Sequence, residues 1–73
     1  MNSKEKILEI VSDFTGVPAD EIDIRASFKK SVELDSFGML TMLNRIEDEF
    51  GIEIPEDKMR SFRNIEDIIR YAS

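Results

Sequence analysis

The sequence predicts an all-α protein, a four-helix bundle with three main helices, a short third helix and a long first loop. Three segments place apolar residues about 100° apart around a helix axis, which is typical of amphipathic helices. Glycine follows two of these segments, at Gly16 and Gly51, where it commonly ends a helix. The chain has 73 residues, enough for one small core, so we expect residues 1–73 to form a single domain.

The first helix is predicted over residues 4–15. Its apolar stripe consists of Ile7, Ile10, Val11 and Phe14. Gly16 stands at the C-cap position, and Pro18 cannot continue the helix. Residues 17–35 then form a long connection. Its scattered apolar residues are expected to attach it to the core, and they are Val17, Ile22, Ile24, Phe28 and Leu34. A loop this long in a small domain tends to carry function.

The second helix is predicted to begin near Asp35 and Ser36 and to run to about Phe50, with two different faces. The core stripe consists of Met39, Met42, Leu43, Ile46 and Phe50. The opposite face consists of Phe37, Leu40, Thr41, Asn44, Glu47 and Asp48. Two interpretations of that face stay open. The long loop folds over Phe37 and buries it, or the face is a docking surface whose apolar centre lies beside Ser36, and the two interpretations do not exclude each other.

The two methionines of the core stripe also allow two interpretations. Methionine is flexible and tolerates repacking. Met39 and Met42 are therefore either ordinary core filling or part of a core that opens to shelter an apolar cargo.

The remaining chain is predicted to be extended over residues 52–55 and to form a short turn of helix over residues 56–61. Asn64 is expected to cap the last helix, and Asp67 three residues later resembles a capping box with Asp in place of Glu or Gln. The apolar stripe of this helix consists of Ile65, Ile68, Ile69 and Ala72.

The charge balance excludes some partners and favours others. Sixteen Asp and Glu against ten Lys and Arg give a net charge of −6, which argues against binding nucleic acid or anionic membranes. Partners with basic docking patches are favoured instead. No apolar run approaches the roughly 20 residues of a membrane span, and Glu9 interrupts the N-terminal apolar stretch, so we expect a soluble cytoplasmic protein. The absence of a heptad seam favours a monomer.

The sequence lacks residue types on which many catalytic sites depend. The chain has no histidine and no cysteine, so the commonest general base, the commonest metal ligand and any thiolate ligand are missing. Ser36 has no Gly-x-Ser-x-Gly context and no base to activate it, so we expect no enzyme. A calcium-binding helical domain is the weakest alternative, because the acids around Asp48 lack the spacing of an EF-hand loop.

Two motifs together resemble the acyl carrier protein family over nearly the whole chain. The first is Glu33-Leu34-Asp35-Ser36-Phe37, and the second is the segment 46–55, Ile-Glu-Asp-Glu-Phe-Gly-Ile-Glu-Ile-Pro. The resemblance implies that Ser36 carries a 4′-phosphopantetheine arm from coenzyme A, with cargo held as a thioester, and that Asp35 helps to bind the phosphopantetheinyl transferase and its metal. It also implies that acids of the second helix meet basic patches on loading ligases and synthases; these acids are Glu47, Asp48 and Glu49.

Three positions depart from the family pattern. Phe37 replaces the usual leucine, and Gly38 and Thr41 stand where fatty-acid carriers commonly have acids. Asp-Ser-Phe-Gly is similar to D-alanyl carrier proteins, whereas the segment around Gly51 is similar to ordinary acyl carriers. We therefore expect a specialised carrier of acyl groups for fatty acid, lipid or polyketide-like synthesis. An aminoacyl carrier, or a carrier-like interaction module that is never modified, remains the alternative.

Overall fold

The computed structural model describes residues 3–31 and 34–73. Val32 and Glu33, which belong to the predicted connection and to the first motif, lie outside the described residues. The described helices are α1 (Ser3–Thr15), α2 (Phe28–Ser31), α3 (Ser36–Phe50), α4 (Glu56–Ser61) and α5 (Ile65–Ala72), with a 3₁₀ turn at Ala19–Glu21. None of the described segments forms a strand. The all-α prediction is therefore confirmed, and α1, α3, α4 and α5 are the four predicted helices.

Local signals in the sequence set the bounds of α1 and α3. Gly16 and Gly51 have φ of 78° and 64°, values that favour glycine because it lacks a Cβ. Gly51 is the C-cap of α3, and its N–H donates to the Glu47 carbonyl. Both helices therefore end at the positions that the two glycines predicted.

The cap of α5 is present in a modified form. The Asn64 side chain accepts a hydrogen bond from the Asp67 N–H over 2.9 Å, as predicted. The Asp67 carboxylate accepts from the N–H of Arg63 over 2.9 Å, one residue before the N-cap position that a capping box uses. The shorter aspartate thus satisfies a donor just outside the helix.

The core lies between α1, α3 and α5, with one isoleucine from each of the two irregular segments, Ile22 and Ile54. Its buried members are Ile7, Ile10, Val11, Ile22, Met42, Leu43, Ile46, Ile54, Ile65 and Ile68. No polar or charged side chain is buried among the described residues. Apolar packing is therefore the main source of stability, as expected for a small chain without cysteine.

The long connection contains helical turns that the sequence did not predict. The 3₁₀ turn and the four-residue α2 both fall inside it. Its backbone is joined to the start of α5: Ser27 pairs with Asn64 in an isolated bridge, and the Glu66 N–H donates to the Ile24 carbonyl over 3.0 Å. Ile24 and Phe28 pack against the core, as expected. The connection is therefore held against the bundle along much of its length.

None of the described helices is long and apolar enough to cross a bilayer.

Candidate functional site

Ser36 is the first residue of α3, and its side chain is exposed. The preceding residue, Asp35, is the N-cap, and its Oδ1 accepts a hydrogen bond from the Gly38 N–H over 2.7 Å. Ser36 Oγ has no hydrogen-bond partner among the described residues. Because Asp35 does the capping, the hydroxyl of Ser36 is free to react.

Gly38 allows the Asp35 cap to close tightly. A Cβ at this position would lie 3.2 Å from Asp35 Oδ1 and 3.2 Å from Leu34 Cδ2, which is closer than ordinary van der Waals contact. The sequence marks Gly38 only as a departure from the family pattern, at a position where fatty-acid carriers commonly have an acid. The structure shows that it also leaves room for the capping carboxylate and for Leu34.

An apolar groove between α3 and α4 begins beside the serine. Ser36 lines it together with Met39, Leu40, Leu43 and Met59, and the Glu56–Arg60 ion pair lies at the same groove. Its volume is about 290 Å³. Such a size is near the lower end of small-molecule sites, roughly 300 Å³.

The two methionines of α3 have different surroundings. Met42 is fully buried in the core, which fits ordinary core filling. Met39 is only half-buried and lines the groove. Met42 therefore fits ordinary core filling, and shelter of an apolar cargo stays a prediction for Met39.

The predicted docking face is exposed at its apolar centre. Phe37 is 78% exposed and Leu40 is 48% exposed, while Thr41 and Asn44 are also exposed. The interpretation that the long loop buries Phe37 is therefore wrong. The exposed aromatic side chain one residue after Ser36 is compatible with a docking surface, which stays a prediction.

The acids near the end of α3 differ in their availability to a partner. Glu47 is half-buried, and its Oε2 accepts a hydrogen bond from the Ile54 N–H over 2.8 Å. Glu49 lies 3.7 Å from Lys6 Nζ of α1. Asp48 is exposed and has no partner among the described residues. Of the three acids, Asp48 is the one whose charge is free for a partner.

Arg45 does not belong to the docking face, although it stands in the sequence between Asn44 and Glu47. Its guanidinium lies 3.7 Å from Asp13 Oδ2 and 5.6 Å from the centre of the Phe14 ring. Both contacts are with α1. The positive charge of Arg45 therefore serves packing between helices.

We expect replacement of Glu47 by alanine to lower the free energy of unfolding by about 1–3 kcal/mol, because the N–H of the buried Ile54 loses its acceptor. Glu47→Gln keeps an oxygen that can accept, so it should lose less than half as much. Urea denaturation followed by circular dichroism measures both, with Asp48→Ala as the exposed neighbouring control. Equal losses in the glutamine and alanine variants would contradict a role for this hydrogen bond.

Comparison with known proteins agrees with this geometry. A family model for the phosphopantetheine attachment site matches residues 5–72. The acyl carrier protein of Thermobifida fusca (strain YX) is 34% identical over 65 residues, covering 89% of this chain and 82% of the relative. That of Tropheryma whipplei (strain Twist) is 36% identical over 73 residues, covering 94% and 89%. That of Nitratidesulfovibrio vulgaris (strain DP4) is 34% identical over 73 residues, covering 100% and 96%.

The chain belongs to the acyl carrier protein family. The resemblance predicted from the two motifs is thereby confirmed. As an acyl carrier protein it bears a covalent 4′-phosphopantetheine arm and is a carrier, not an enzyme. Membership also implies interaction with a phosphopantetheinyl transferase and with biosynthetic enzymes. The described residues of this carrier suit such an arm, because an exposed, unbonded serine hydroxyl lies beside an apolar groove.

Proposed function

We propose that this carrier holds acyl groups as thioesters on a 4′-phosphopantetheine arm attached to Ser36, and presents them to enzymes of fatty acid, lipid or polyketide-like biosynthesis. The observation that carries the proposal is the exposed hydroxyl of Ser36 at the start of α3 and at the edge of the apolar groove. The arm supplies a terminal thiol, which the cysteine-free chain itself lacks.

Attachment requires Ser36 Oγ to act as a nucleophile toward the β-phosphorus of coenzyme A. A phosphorus–oxygen bond forms to Ser36 as the pyrophosphate bond breaks, and 3′,5′-adenosine bisphosphate leaves. The hydroxyl proton passes to a base of the transferase, because the carrier contains no histidine. Asp35 is proposed to help bind the transferase and its metal.

The groove favours acyl over aminoacyl cargo. Met39, Leu40, Leu43 and Met59 give it an apolar lining, which would stabilise a hydrocarbon chain by removing it from water. An aminoacyl group carries an ammonium, whose burial against these side chains is unfavourable. The groove therefore supports the acyl alternative, although the Asp-Ser-Phe-Gly segment resembles D-alanyl carriers.

The partner surface is proposed to combine an apolar centre with a charged end. Phe37, Leu40, Thr41 and Asn44 form an exposed, uncharged face beside Ser36. Asp48 adds a free negative charge farther along α3 for the basic patches of loading and synthase enzymes. Phe37 is the expected anchor, because aromatic side chains dominate the energetics of many interfaces.

A loading reaction tests the proposal. The purified carrier is incubated with coenzyme A, magnesium and a broad-specificity phosphopantetheinyl transferase, then weighed intact and mapped by peptide mass spectrometry. We expect one added phosphopantetheinyl group, a new reactive thiol and a modified peptide in which Ser36 bears the group. If several transferases add no mass, the carrier function falls and an unmodified interaction module becomes the better hypothesis.

We expect Phe37→Ala to raise the KM of the transferase for the carrier about 10-fold to 30-fold, because the exposed ring is lost from the surface beside Ser36. The melting temperature should stay unchanged, since a side chain that is 78% exposed contributes little packing. Phe37→Leu, which restores the usual residue of the family, is the matched control and should keep most of the affinity. An unchanged KM in the alanine variant would contradict the anchoring role.

A further inference from the structure

Two lysines of α2 share a depression with Ser36. Lys29 and Lys30 line it together with Leu34, Asp35 and Ser36, and its volume is about 910 Å³. Both lysines are exposed. Resemblance to known carriers assigned them no role, and the sequence alone gave no reason to place them beside Ser36.

The position of α2 is fixed by contacts of the two residues that directly precede the lysines. Phe28 packs against the core, and the backbone of Ser27 is paired with Asn64 at the start of α5. The Lys30 N–H donates to the Ser27 carbonyl over 3.0 Å. A helix of only four residues is not stable by itself, so these contacts are what hold the lysines next to the serine.

The two lysines also differ from most other cations of this acidic carrier. The chain has ten Lys and Arg. Six of them lie within 4.0 Å of a carboxylate in the described part of the chain: Lys6, Arg25, Arg45, Arg60, Arg63 and Arg70. Lys29 and Lys30 have no such partner among residues 3–31 and 34–73. Within the described residues, no carboxylate therefore competes for these two charges with an anion placed near Ser36.

We propose that Lys29 and Lys30 form a binding site for the phosphodiester group of the arm, holding it against α2. The proposal rests on attachment at Ser36. Apart from Ser36, the residues that line the lysine depression differ from those of the groove that would contact the acyl chain.

Electrostatics gives the reason for such a site. A phosphodiester on Ser36 Oγ puts a negative charge directly beside the Asp35 carboxylate. Free N–H groups at the start of α3 favour an anion there, but the Asp35 side chain already takes the Gly38 N–H. Two ammonium groups in the same depression offset the repulsion between the two anions. Long lysine side chains can follow the phosphate without movement of the backbone.

The test compares how much attachment of the arm changes the melting temperature in three proteins. They are the wild type, Lys29→Gln/Lys30→Gln, and Lys4→Gln/Lys58→Gln. The last is a matched control, because it removes the same charge from two exposed lysines that also lack a carboxylate partner in the described structure. Each protein is melted by circular dichroism before and after loading, at low ionic strength.

We expect the change on loading to be more favourable in the wild type than in Lys29→Gln/Lys30→Gln by about 2–5 °C, the shift that a charge pair of under 1 kcal/mol gives in a small domain. The control should match the wild type. Raising NaCl to about 1 M, where the Debye length is roughly 3 Å, should remove most of the difference. The ³¹P chemical shift of the phosphodiester should respond to the same double substitution and not to the control.

The outcomes separate the two proposals. If the wild type cannot be loaded, both the attachment at Ser36 and the lysine site fall. If all three proteins load and show equal changes in melting temperature and equal ³¹P shifts, the lysine site alone is overturned and the carrier function stands.

Discussion

Ser36→Ala is expected to abolish loading completely while leaving the fold intact. The variant should gain no mass under conditions in which the wild type gains one phosphopantetheinyl group. Its free energy of unfolding should stay within about 0.5 kcal/mol of the wild type, which is usual for an exposed position. Intact mass spectrometry and urea denaturation measure the two quantities on the same preparation.

The structure separates these two effects because Ser36 is not the residue that caps α3. Asp35 accepts the Gly38 N–H, and Ser36 Oγ has no hydrogen-bond partner in the described chain. Removing the hydroxyl therefore leaves the cap in place, and alanine favours the helix slightly.

Ser27→Ala is the matched control for this experiment. Ser27 is also exposed, its hydroxyl has no partner among the described residues, and its bridge to Asn64 uses only the backbone. This control should load like the wild type. Mass gained by Ser36→Ala at another serine would contradict the assignment of Ser36.

Ile46→Ala is expected to have the largest effect on stability. Ile46 is 0% exposed and belongs to the core stripe of α3. Truncating a buried isoleucine to alanine costs about 2–5 kcal/mol, because the lost burial and the new cavity add together. A chain of 73 residues has a total stability of roughly 4–11 kcal/mol. The variant should thus lose a large share of its stability and melt well below the wild type.

Asn44→Ala, two residues earlier on the exposed side of α3, is the control for Ile46→Ala. It should change the free energy of unfolding by no more than about 0.7 kcal/mol, in the stabilising direction, since alanine is the better helix former. Urea denaturation measures both variants. A loss below about 1 kcal/mol for Ile46→Ala would show that the core repacks far more freely than cores of this kind usually do.

The elements that the sequence predicted well are those marked by neighbouring residues. The α1 and α3 helices have an apolar stripe and a glycine stop, and α5 has an asparagine cap three residues before Asp67. Each of these signals acts within about one helical turn, so no knowledge of the tertiary fold is needed. Predicted and observed ends therefore differ little.

The elements that the sequence did not predict depend on distant contacts. The short α2 exists because Phe28 reaches the core and Ser27 meets Asn64, far away in the chain. One turn of helix has too few hydrogen bonds to form alone, so its sequence carries no clear periodic signal. The sequence also did not predict that the Asp67 carboxylate accepts from the Arg63 N–H, because the reach of this carboxylate depends on local backbone geometry.

The same distinction between local signals and distant contacts applies to the residues of the candidate site. Ser36 and Asp35 were predicted from a motif, because the two residues are adjacent in the chain. The hydrogen bond from Ile54 to Glu47 was not predicted, because it depends on how the chain turns after Gly51. The proximity of Lys29 to Ser36 was missed because it requires the path of the whole connection. Sequence patterns thus predicted which residue reacts, and tertiary structure was needed to describe its surroundings.

The uncharged start of α3 also affects which enzymes the carrier avoids. Residues 36–44 contain no charged side chain, and Phe37 and Leu40 present carbon to the solvent there. An enzyme with lysines and arginines shaped to that stretch of an acidic carrier would have to desolvate them without any counter-ion. Such an enzyme would bind this carrier weakly, because its basic side chains lose their hydration and gain no ion pair. This discrimination needs no steric clash. In a cell that also held a carrier with acids in this stretch, the two carriers would exchange little cargo.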